Sequence, residues 1–414
     1  MAKIKAFAGI RPNETMAKEI AALPYDVYNR TEAKAIVENN PLSFLKVDRA
    51  ETQFDETIDT YDAVVYKKAQ DLFNEMIEKG QLIQDQKTCL YIYRLTMKGR
   101  SQTGLVACTS IDEYIADIIK KHELTRAAKE RDRINHVDSL DANTGPIFLT
   151  YRAKDAIDEI VNNWMENNPP IYDFVADDAI KHEMWCIDDV AIIESLETLF
   201  MTIPSLYIAD GHHRAASAVK VGLLRREQHK DYTGAEEFNY FLSVIFPDNQ
   251  LKIFDYNRVV KDLDGMTPEQ FLGSVKESFD IIRTSKEQIK PTEKSTFGMF
   301  LEDTWYLIKA KEGTYRKEDP VLSLDVSVLQ LNLLAPILGV GDPRTDERID
   351  FVGGIRGLAE LERRVKTDMM LAFALVPTSV DELMNIADAG ELMPPKSTWF
   401  EPKLRSGLIS HLLH

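Results

Sequence analysis

Residues 206–219 read LYIADGHHRAASAV, which is the pattern of a buried strand, a tight turn and a helix. The first part contains aromatic and β-branched residues, which are enriched in strands. The second part is rich in alanine, the best helix former. Gly211 lies between them and permits a tight turn. The stretch therefore predicts a strand, a loop over Asp210–Arg214 and a helix that begins near Ala215.

The same stretch places phosphate-binding groups at the start of the predicted helix. A helix N-terminus carries unpaired N–H donors and partial positive charge. Arg214 adds a guanidinium that donates two parallel hydrogen bonds, and His213 adds an imidazole. The structural alternative is that Asp210 only caps the helix and that the histidines only satisfy buried neighbours. Five adjacent residues favour a phosphate or nucleotide site: Asp210, Gly211, His212, His213 and Arg214.

Composition and charge limit the possible function classes. The chain has 414 residues, of which 44% are hydrophobic and 28% charged, the balance of a folded globular protein. Its 50 basic and 67 acidic residues give a net charge of −17. Because nucleic-acid binding needs a positive surface, we expect no nucleic-acid partner. A small anionic ligand needs only a local basic pocket.

The sequence indicates neither a membrane segment nor a metal site. The longest apolar run, about Met369 to Val376, is far shorter than a membrane span. The N-terminal segment Met1–Lys5 lacks the apolar run of a signal peptide, so we expect a cytoplasmic protein. The cysteines are odd in number and widely separated, which predicts neither a zinc site nor a disulfide framework. They are Cys89, Cys108 and Cys186.

Strands and helices alternate along the chain, which predicts a mixed α/β (α+β) fold. The pattern predicts an amphipathic helix over Asp62–Lys79, a hairpin that turns at Lys98-Gly99-Arg100, and a charged helical stretch over Ile111–Asp141. Domain borders are weakly marked. We expect a main α/β body over residues 1–250 and a C-terminal α/β region over 251–414, whose last loop closes over the site.

Several residues outside the central stretch are candidates for binding a substrate or an anion. Loops after strands often carry binding residues, and histidine, arginine and lysine suit anions. Each candidate has a structural alternative: a proline turn, a solvated helix with ion pairs, or an ordered C-terminal tail. A glycine-rich turn at Gly353–Gly357 is a possible second anion cradle, although a tight structural turn explains it better. The candidates are Arg11, Tyr25, His122, Arg131, Arg133, Lys396, Ser397 and Lys403.

Nearly the whole chain resembles the domain-of-unknown-function 1015 family of bacteria and archaea. The resemblance is carried by motifs near both ends and by the central stretch. They are Phe7–Pro12, Pro24–Val27, His122–Thr125, Ala209–Arg214, Phe351–Gly354, Met393–Thr398, Pro402-Lys403 and Ser406–Leu408. These motifs indicate family membership and carry little information about activity.

More remotely, Asp-Gly-x-His-Arg at a helix start resembles the phosphate motif of the ParB/sulfiredoxin-like superfamily. That resemblance covers Asp210, Gly211, His213 and Arg214, and it implies a ParB/sulfiredoxin-like nucleotide-binding core with additional α/β elements. In sulfiredoxins the variable position carries a reactive cysteine. His212 stands there in this chain, so sulfinic-acid reduction is not supported. Partition proteins have an arginine-richer motif, and free-serine kinases have the same order as this chain.

The resemblance to free-serine kinases implies a small-molecule phosphotransferase that uses ATP or ADP with Mg²⁺. The phosphates would bind at Gly211–Arg214, with His213 among the catalytic residues. Glu14 and Asp26 are candidates for the base that removes a proton from a substrate hydroxyl, free L-serine being the best analogy. The alternative from another class is a non-catalytic nucleotide-binding switch or adaptor. A third alternative, DNA binding of the partition-protein type, is disfavoured by the charge.

Overall fold

The computed structural model describes residues 1–414, which divide into two compact units. The first unit comprises Met1–Leu251 and Pro402–His414, and the second comprises Lys252–Glu401. The sequence predicted regions of 1–250 and 251–414, whereas the structure groups the C-terminal residues with the first unit.

Both units mix helices and strands, so the predicted mixed α/β class is confirmed. The helices are α1 (Ala17–Ile20), α2 (Arg30–Asn39), α3 (Leu45–Asp48), α4 (Ala63–Glu78), α5 (Ile111–Ile115), α6 (Ala127–Leu140), α7 (Asp155–Asn167), α8 (Val190–Phe200), α9 (His212–Gln228), α10 (Pro268–Ser278), α11 (Asp325–Leu329), α12 (Leu358–Thr367) and α13 (Val380–Asp388). The strands are β1 (Ile4–Lys5), β2 (Ile10–Pro12), β3 (Leu82–Gln84), β4 (Leu90–Met97), β5 (Arg100–Ser110), β6 (Ile119–Lys120), β7 (Ala142–Asn143), β8 (Ile147–Tyr151), β9 (Tyr172–Val175), β10 (Lys181–Ile187), β11 (Leu206–Asp210), β12 (Tyr240–Pro247), β13 (Ile253–Phe254), β14 (Tyr256–Val260), β15 (Phe279–Ser285), β16 (Thr296–Leu301), β17 (Thr304–Ala310), β18 (Ile349–Gly353), β19 (Leu371–Ala374), β20 (Trp399–Phe400) and β21 (His411–Leu412). None of the helices combines the length and apolar character that a membrane span requires.

The first unit is built on a mixed nine-stranded sheet in the order β6-β11-β8-β12-β5-β4-β10-β9, with β1 paired to β5. β11 lies between β6, to which it is parallel, and β8, to which it is antiparallel. The predicted hairpin is confirmed as β4 and β5, which turn at Lys98 and Gly99, both at positive φ. Because β11 is an inner strand of the sheet, its carboxyl end at Asp210 has a fixed position.

The amphipathic helix predicted over Asp62–Lys79 is confirmed as α4, whereas the prediction of a helical stretch over Ile111–Asp141 is wrong. Asp62 caps α4 by accepting a hydrogen bond from the Val64 N–H, and the apolar positions of the helix are buried. The charged stretch instead divides into α5, the edge strand β6 and α6. Ile119 of β6 is buried beside β11, so sheet pairing overrides a helical pattern that was set mainly by charged residues.

The connection between β11 and α9 is a single residue. Gly211 adopts φ 97° and ψ 30°, and α9 begins at His212. The prediction of a loop over Asp210–Arg214 with a helix start near Ala215 is therefore wrong by three residues. The left-handed conformation reverses the chain within one residue, which is available to glycine at little cost. His212, His213 and Arg214 consequently form the first turn of the helix.

The C-terminal segment is held in the first unit by backbone hydrogen bonds. β21 pairs with β7, and two isolated bridges join Ser406 to Ala22 and Ser410 to Ile10. Gly407, between these anchors, has φ +80°, and a Cβ there would lie 2.4 Å from the Cβ of Phe44. The close approach of these backbones requires a glycine at this position.

We expect Gly407→Ala to destabilise the protein by about 1–3 kcal/mol more than Gly234→Ala. Gly234 has φ +93° with open space where a Cβ would lie, so it carries only the cost of a left-handed alanine. Gly407→Ala adds the clash with Phe44. Urea unfolding of both variants measures the difference, and equal losses in the free energy of unfolding would contradict it.

The second unit contains an antiparallel six-stranded sheet in the order β15-β17-β16-β19-β14-β18 and the short pair β13-β20. The glycine-rich stretch Gly353–Gly357 connects β18 to α12. A Cβ on Gly354 would lie 2.3 Å from the Asp255 carboxylate, which explains the glycine by close packing.

Candidate functional site

The start of α9 presents backbone donors, and the cationic side chains of Arg214 and Lys403 lie beside it. The first N–H groups of a helix have no acceptor within the helix. Here they belong to Gly211 and the three residues after it, because Ala215 N–H is the first to bond back, to the Gly211 carbonyl at 2.9 Å. Together with the positive end of the helix dipole, these donors form an arrangement that binds anions.

Arg214 is folded back against this helix start. Its Nη1 donates to the Pro146 carbonyl at 2.6 Å, and its Nη2 lies 3.6 Å from the Asp210 carboxylate. A Cβ on Gly211 would lie 3.0 Å from Nη2, and a Cβ on Gly145 would lie 3.4 Å from Cδ. Two glycines therefore make room for the guanidinium. Arg214 also lines a small cavity of about 30 Å³.

Asp210 is the anion at the centre of this cluster. Its carboxylate lies 3.4 Å from Nζ of Lys403, which the C-terminal segment carries to the helix start. Burial alone would raise the pKa of Asp210, but the charges of Lys403 and Arg214 overcome that effect and hold the pKa at about 2. The cluster therefore remains an ionised carboxylate between two cations at neutral pH.

The histidines beside the helix start are His122 and His212, which are buried, and His213, which is half-buried. His212 Nε2 accepts a 3.4 Å hydrogen bond from the His122 N–H, and the two rings meet edge to face at 4.4 Å. His213 Nε2 accepts from the Arg126 N–H at 2.9 Å. Burial lowers the pKa of all three imidazoles, that of His122 to about 4. His122 Nδ1 is buried without a hydrogen-bond partner.

A larger cavity of about 220 Å³ adjoins the smaller one. The two cavities share four lining residues: Tyr25, Asp48, Arg133 and His136. The larger one is polar, with carboxylates, cations and phenols around it. Its other charged and aromatic lining residues are Asp26, Tyr28, Arg49, Glu51, Tyr61, Tyr66, Lys129 and Asp132. Its size and polarity suit a small metabolite with several hydrogen-bonding groups.

The arginines of the larger cavity are already paired with carboxylates. Arg133 donates to the neighbouring Asp132 at 2.9 Å and stacks over the Tyr25 ring at 4.0 Å. Arg49 pairs with Glu51 at 2.5 Å and donates to two backbone carbonyls. Burial raises the pKa of Tyr25 to about 12, and the charge of Arg133 opposes that rise. Arg133 and Arg49 therefore hold the wall of the cavity in place.

The predicted site residues fall into three groups. Tyr25 and Asp26 line the larger cavity, and His122, Lys403 and the five residues of the central motif lie at the helix start. Arg11, Glu14 and Arg131 line neither cavity. Lys396 and Ser397 belong to the second unit.

Of the candidates that line neither cavity, Arg11 forms an ion pair, and Glu14 and Arg131 are exposed. Arg11 pairs with Asp85 at 2.9 Å, and its Nη1 donates to the Tyr172 hydroxyl at 3.4 Å. Glu14 is exposed in a short 3₁₀ turn. Arg131 is exposed on α6, whereas Arg133 on the same helix is buried. Helical geometry explains this difference, because residues two apart lie on different faces.

Sequence reasoning missed Asp48 and His136. Asp48 is buried at the end of α3, accepts a 3.3 Å hydrogen bond from Thr144 Oγ1, and lies 4.0 Å from His136 Nε2. These residues come from distant segments without a local motif. A carboxylate close to the apolar residues Phe44, Leu45 and Val47 is the only sequence signal for Asp48.

No group of three or more histidine, cysteine or acidic side chains is arranged to hold a metal ion. Mg²⁺ is usually bound through one or two carboxylates together with substrate phosphates, which does not require such a group. Asp210, which precedes the start of α9, and Asp26, which lines the larger cavity, are carboxylates that fit this mode. Asp26 is close enough to His213 to act on the pKa of that imidazole.

We expect the free energy of unfolding to fall as the pH falls from about 6.5 to about 4. Burial lowers the pKa of His122 and His136 from 6.5 to about 4. Between these values the unfolded chain binds protons that the folded chain does not bind. Each histidine thus contributes stability on the order of 2–3 kcal/mol. This contribution is fully present above pH 6.5 and is lost progressively as the pH falls to about 4.

Urea unfolding at several pH values tests this expectation, with His136→Gln as the comparison. Gln cannot be protonated, so this variant should lose stability less steeply than the parent over the same range. An identical pH dependence in the two proteins would contradict the assignment for His136.

Comparison with known proteins gives one family match and several remote structural relatives. The family model described as "Protein of unknown function (DUF1015)" matches residues 4–327. No curated protein sequence matches the chain. A mutant free serine kinase in complex with AMP is 15% identical, covers 71% of this chain and 87% of its own, and has a TM-score of 0.36.

Two further solved structures are similar to the same extent. A conserved hypothetical protein from Pyrococcus furiosus is 15% identical, with 73% of this chain and 93% of its own covered and a TM-score of 0.34. C-terminally truncated SbnI from Staphylococcus aureus is 12% identical, with 72% and 82% covered and a TM-score of 0.38. At these scores the relationship is remote.

Proposed function

The chain belongs to the DUF1015 family, and we propose that it is a nucleotide-dependent phosphotransferase, a kinase of a small hydroxy metabolite. One observation carries the proposal. The unpaired N–H groups at the start of α9 lie beside Arg214 and Lys403, and the cavity that Arg214 lines adjoins a larger cavity whose polar wall includes the Asp26 carboxylate. The first feature suits a phosphate chain, and the second suits an acceptor that must lose a proton.

In this proposal ATP or ADP places its phosphates on the first turn of α9. The N–H groups at the helix start donate to phosphate oxygens, and Arg214 adds a bidentate fork. Asp210 keeps Arg214 and Lys403 close together, and its low pKa means that it does so at any physiological pH. Mg²⁺ would be held by the phosphates together with Asp210.

The acceptor hydroxyl would occupy the larger cavity. Asp26 takes the hydroxyl proton while the hydroxyl oxygen forms a bond to the transferred phosphorus, and the bond to the bridging oxygen of the nucleotide breaks. The leaving group is ADP from ATP, or AMP from ADP. Arg214 stabilises the charge that develops on the transferred group. Asp26 suits the role of base better than Glu14, because only Asp26 lines the cavity.

The choice of free L-serine as acceptor follows from the motif. Asp210, Gly211, His213 and Arg214 have the order found in the free-serine kinases of the ParB/sulfiredoxin-like superfamily. The helix start at His212 supports a nucleotide-binding core of that type. A cytoplasmic location is part of the proposal, and three free cysteines without a disulfide support it.

The test is to incubate the purified protein with Mg²⁺, either ATP or ADP, and a pool of hydroxy metabolites that includes L-serine. Mass spectrometry then detects phosphorylated products. The proposal expects a phosphorylated metabolite and the matching nucleotide product. Nucleotide binding without any product would contradict the phosphotransferase and favour a non-catalytic switch, and absence of binding would contradict both.

A further inference from the structure

The second unit buries an arginine that has no acidic partner. Arg258 lies on β14 in the interior of the six-stranded sheet and is 4% exposed. Its Nη1 donates to the Tyr256 carbonyl, and its Nη2 donates to the Lys396 carbonyl at 3.0 Å. The guanidinium lies 5.2 Å from the centre of the Phe351 ring. Its contacts are therefore two neutral carbonyls and an aromatic face.

The other buried arginines show how unusual this is. Arg133 is paired with Asp132, and Arg405 is paired with Asp178. No carboxylate lies within ion-pair distance of Arg258, and burial lowers its pKa to about 10. A buried charge without a counter-charge is costly, so buried charges in proteins are normally paired. Arg258 is thus a buried cation without a carboxylate partner.

The backbone of Lys396 lies beside Arg258. Lys396 supplies the carbonyl that Arg258 contacts, and its Nζ lies 5.6 Å over the Tyr256 ring. The rings of Tyr256 and Phe351 meet at 5.8 Å, so the two cations flank one aromatic pair. Lys396 adopts φ +60°, which is strained for a lysine. The backbone is fixed there by Ser397, whose Oγ donates to the Pro394 carbonyl at 2.6 Å.

We propose that the second unit holds an anion-binding site in which Arg258 and Lys396 bind the phosphate or carboxylate group of a small molecule. Arg258 has five N–H donors, of which the two carbonyls occupy two, so a fork remains for two oxygens of one anion. Lys396 is exposed and adds a mobile charge. The site is made by residues of the second unit alone, and it is independent of the proposed kinase activity.

Calorimetric titration with inorganic phosphate and, separately, with malonate tests the proposal at constant ionic strength. The titrations use full-length Arg214→Ala, in which the phosphate site proposed at α9 is disabled. We expect binding of at least one of the two anions, and the one that binds identifies the recognised group. Adding Arg258→Met should weaken that binding at least tenfold, because it removes a charged donor pair. Absence of binding of both anions would overturn the proposal.

Lys396→Gln keeps the test independent of the folding of Arg258→Met. Added to the Arg214→Ala protein, it should weaken the selected binding about threefold or more without changing the unfolding temperature of the ligand-free protein. Lys366→Gln is the matched control, since Lys366 is an exposed lysine of the same unit that pairs with Asp303. Equal anion affinities for Lys396→Gln and Lys366→Gln would overturn the assignment.

Discussion

Asp26→Asn is expected to lower the rate of phosphoryl transfer by about 10²–10⁴-fold while leaving nucleotide affinity nearly unchanged. Asparagine has the size of aspartate but cannot accept the proton of the acceptor hydroxyl. Asp26 is exposed to the larger cavity and makes no ion pair, so its replacement does not disturb a structural contact. The loss should therefore appear in turnover and not in stability.

Single-turnover kinetics with the metabolite identified by the product screen measures this effect. Glu14→Gln is the matched control, because Glu14 is the other acidic candidate of the sequence and lines neither cavity. It should retain the parent rate. A large loss for Glu14→Gln together with normal turnover for Asp26→Asn would reverse the assignment of the base.

Local sequence signals predicted the elements around the site well. The hairpin β4-β5 was predictable because its turn residues and alternating strands are all local. The strand β11 and a following helix were predictable for the same reason. The helix start was misplaced because Gly211 alone makes the turn, at a positive φ that glycine adopts at little cost. The sequence shows that Gly211 permits such a turn but not that the turn is only one residue long.

Residues that complete the cavities were less predictable, because packing and not a local pattern assembles them. Asp48 lies far in sequence from His136 and Thr144, and the three meet only when α3, α6 and the residues before β8 pack together. The sequence offered Arg131 and Arg133 of one charged run as equal candidates. Which charge of such a run is buried depends on the orientation of α6.

The C-terminal lysines show the same limit. Lys396 and Lys403 are seven positions apart, and the sequence made both candidates for binding an anion. The structure assigns them to different units, with Lys403 at Asp210 and Lys396 at Arg258. No pattern in the proline-rich loop marks the point where the chain leaves the second unit, so sequence alone could not separate the two roles.

Arg214→Ala is expected to lower the affinity for ATP and ADP at least tenfold and to lower turnover by a further large factor. Two charge-assisted hydrogen bonds to phosphate are worth about 1.5–3 kcal/mol of binding. Removal of a donor that stabilises developing charge costs about 10²–10³ in turnover. Arg214→Lys should restore only part of the affinity, because lysine keeps the charge and loses the planar fork.

Isothermal titration of the variants with both nucleotides measures the affinity, and circular dichroism checks the fold. Lys220→Ala is the matched control, since it removes a cation and its ion pair with Glu130 from the same helix, away from its start. His212→Ala should reduce affinity less than Arg214→Ala, because His212 is buried against His122 and its loss acts mainly on stability. Equal nucleotide affinities for Arg214→Ala and the parent protein would contradict the phosphate site at α9, and the kinase proposal depends on that site.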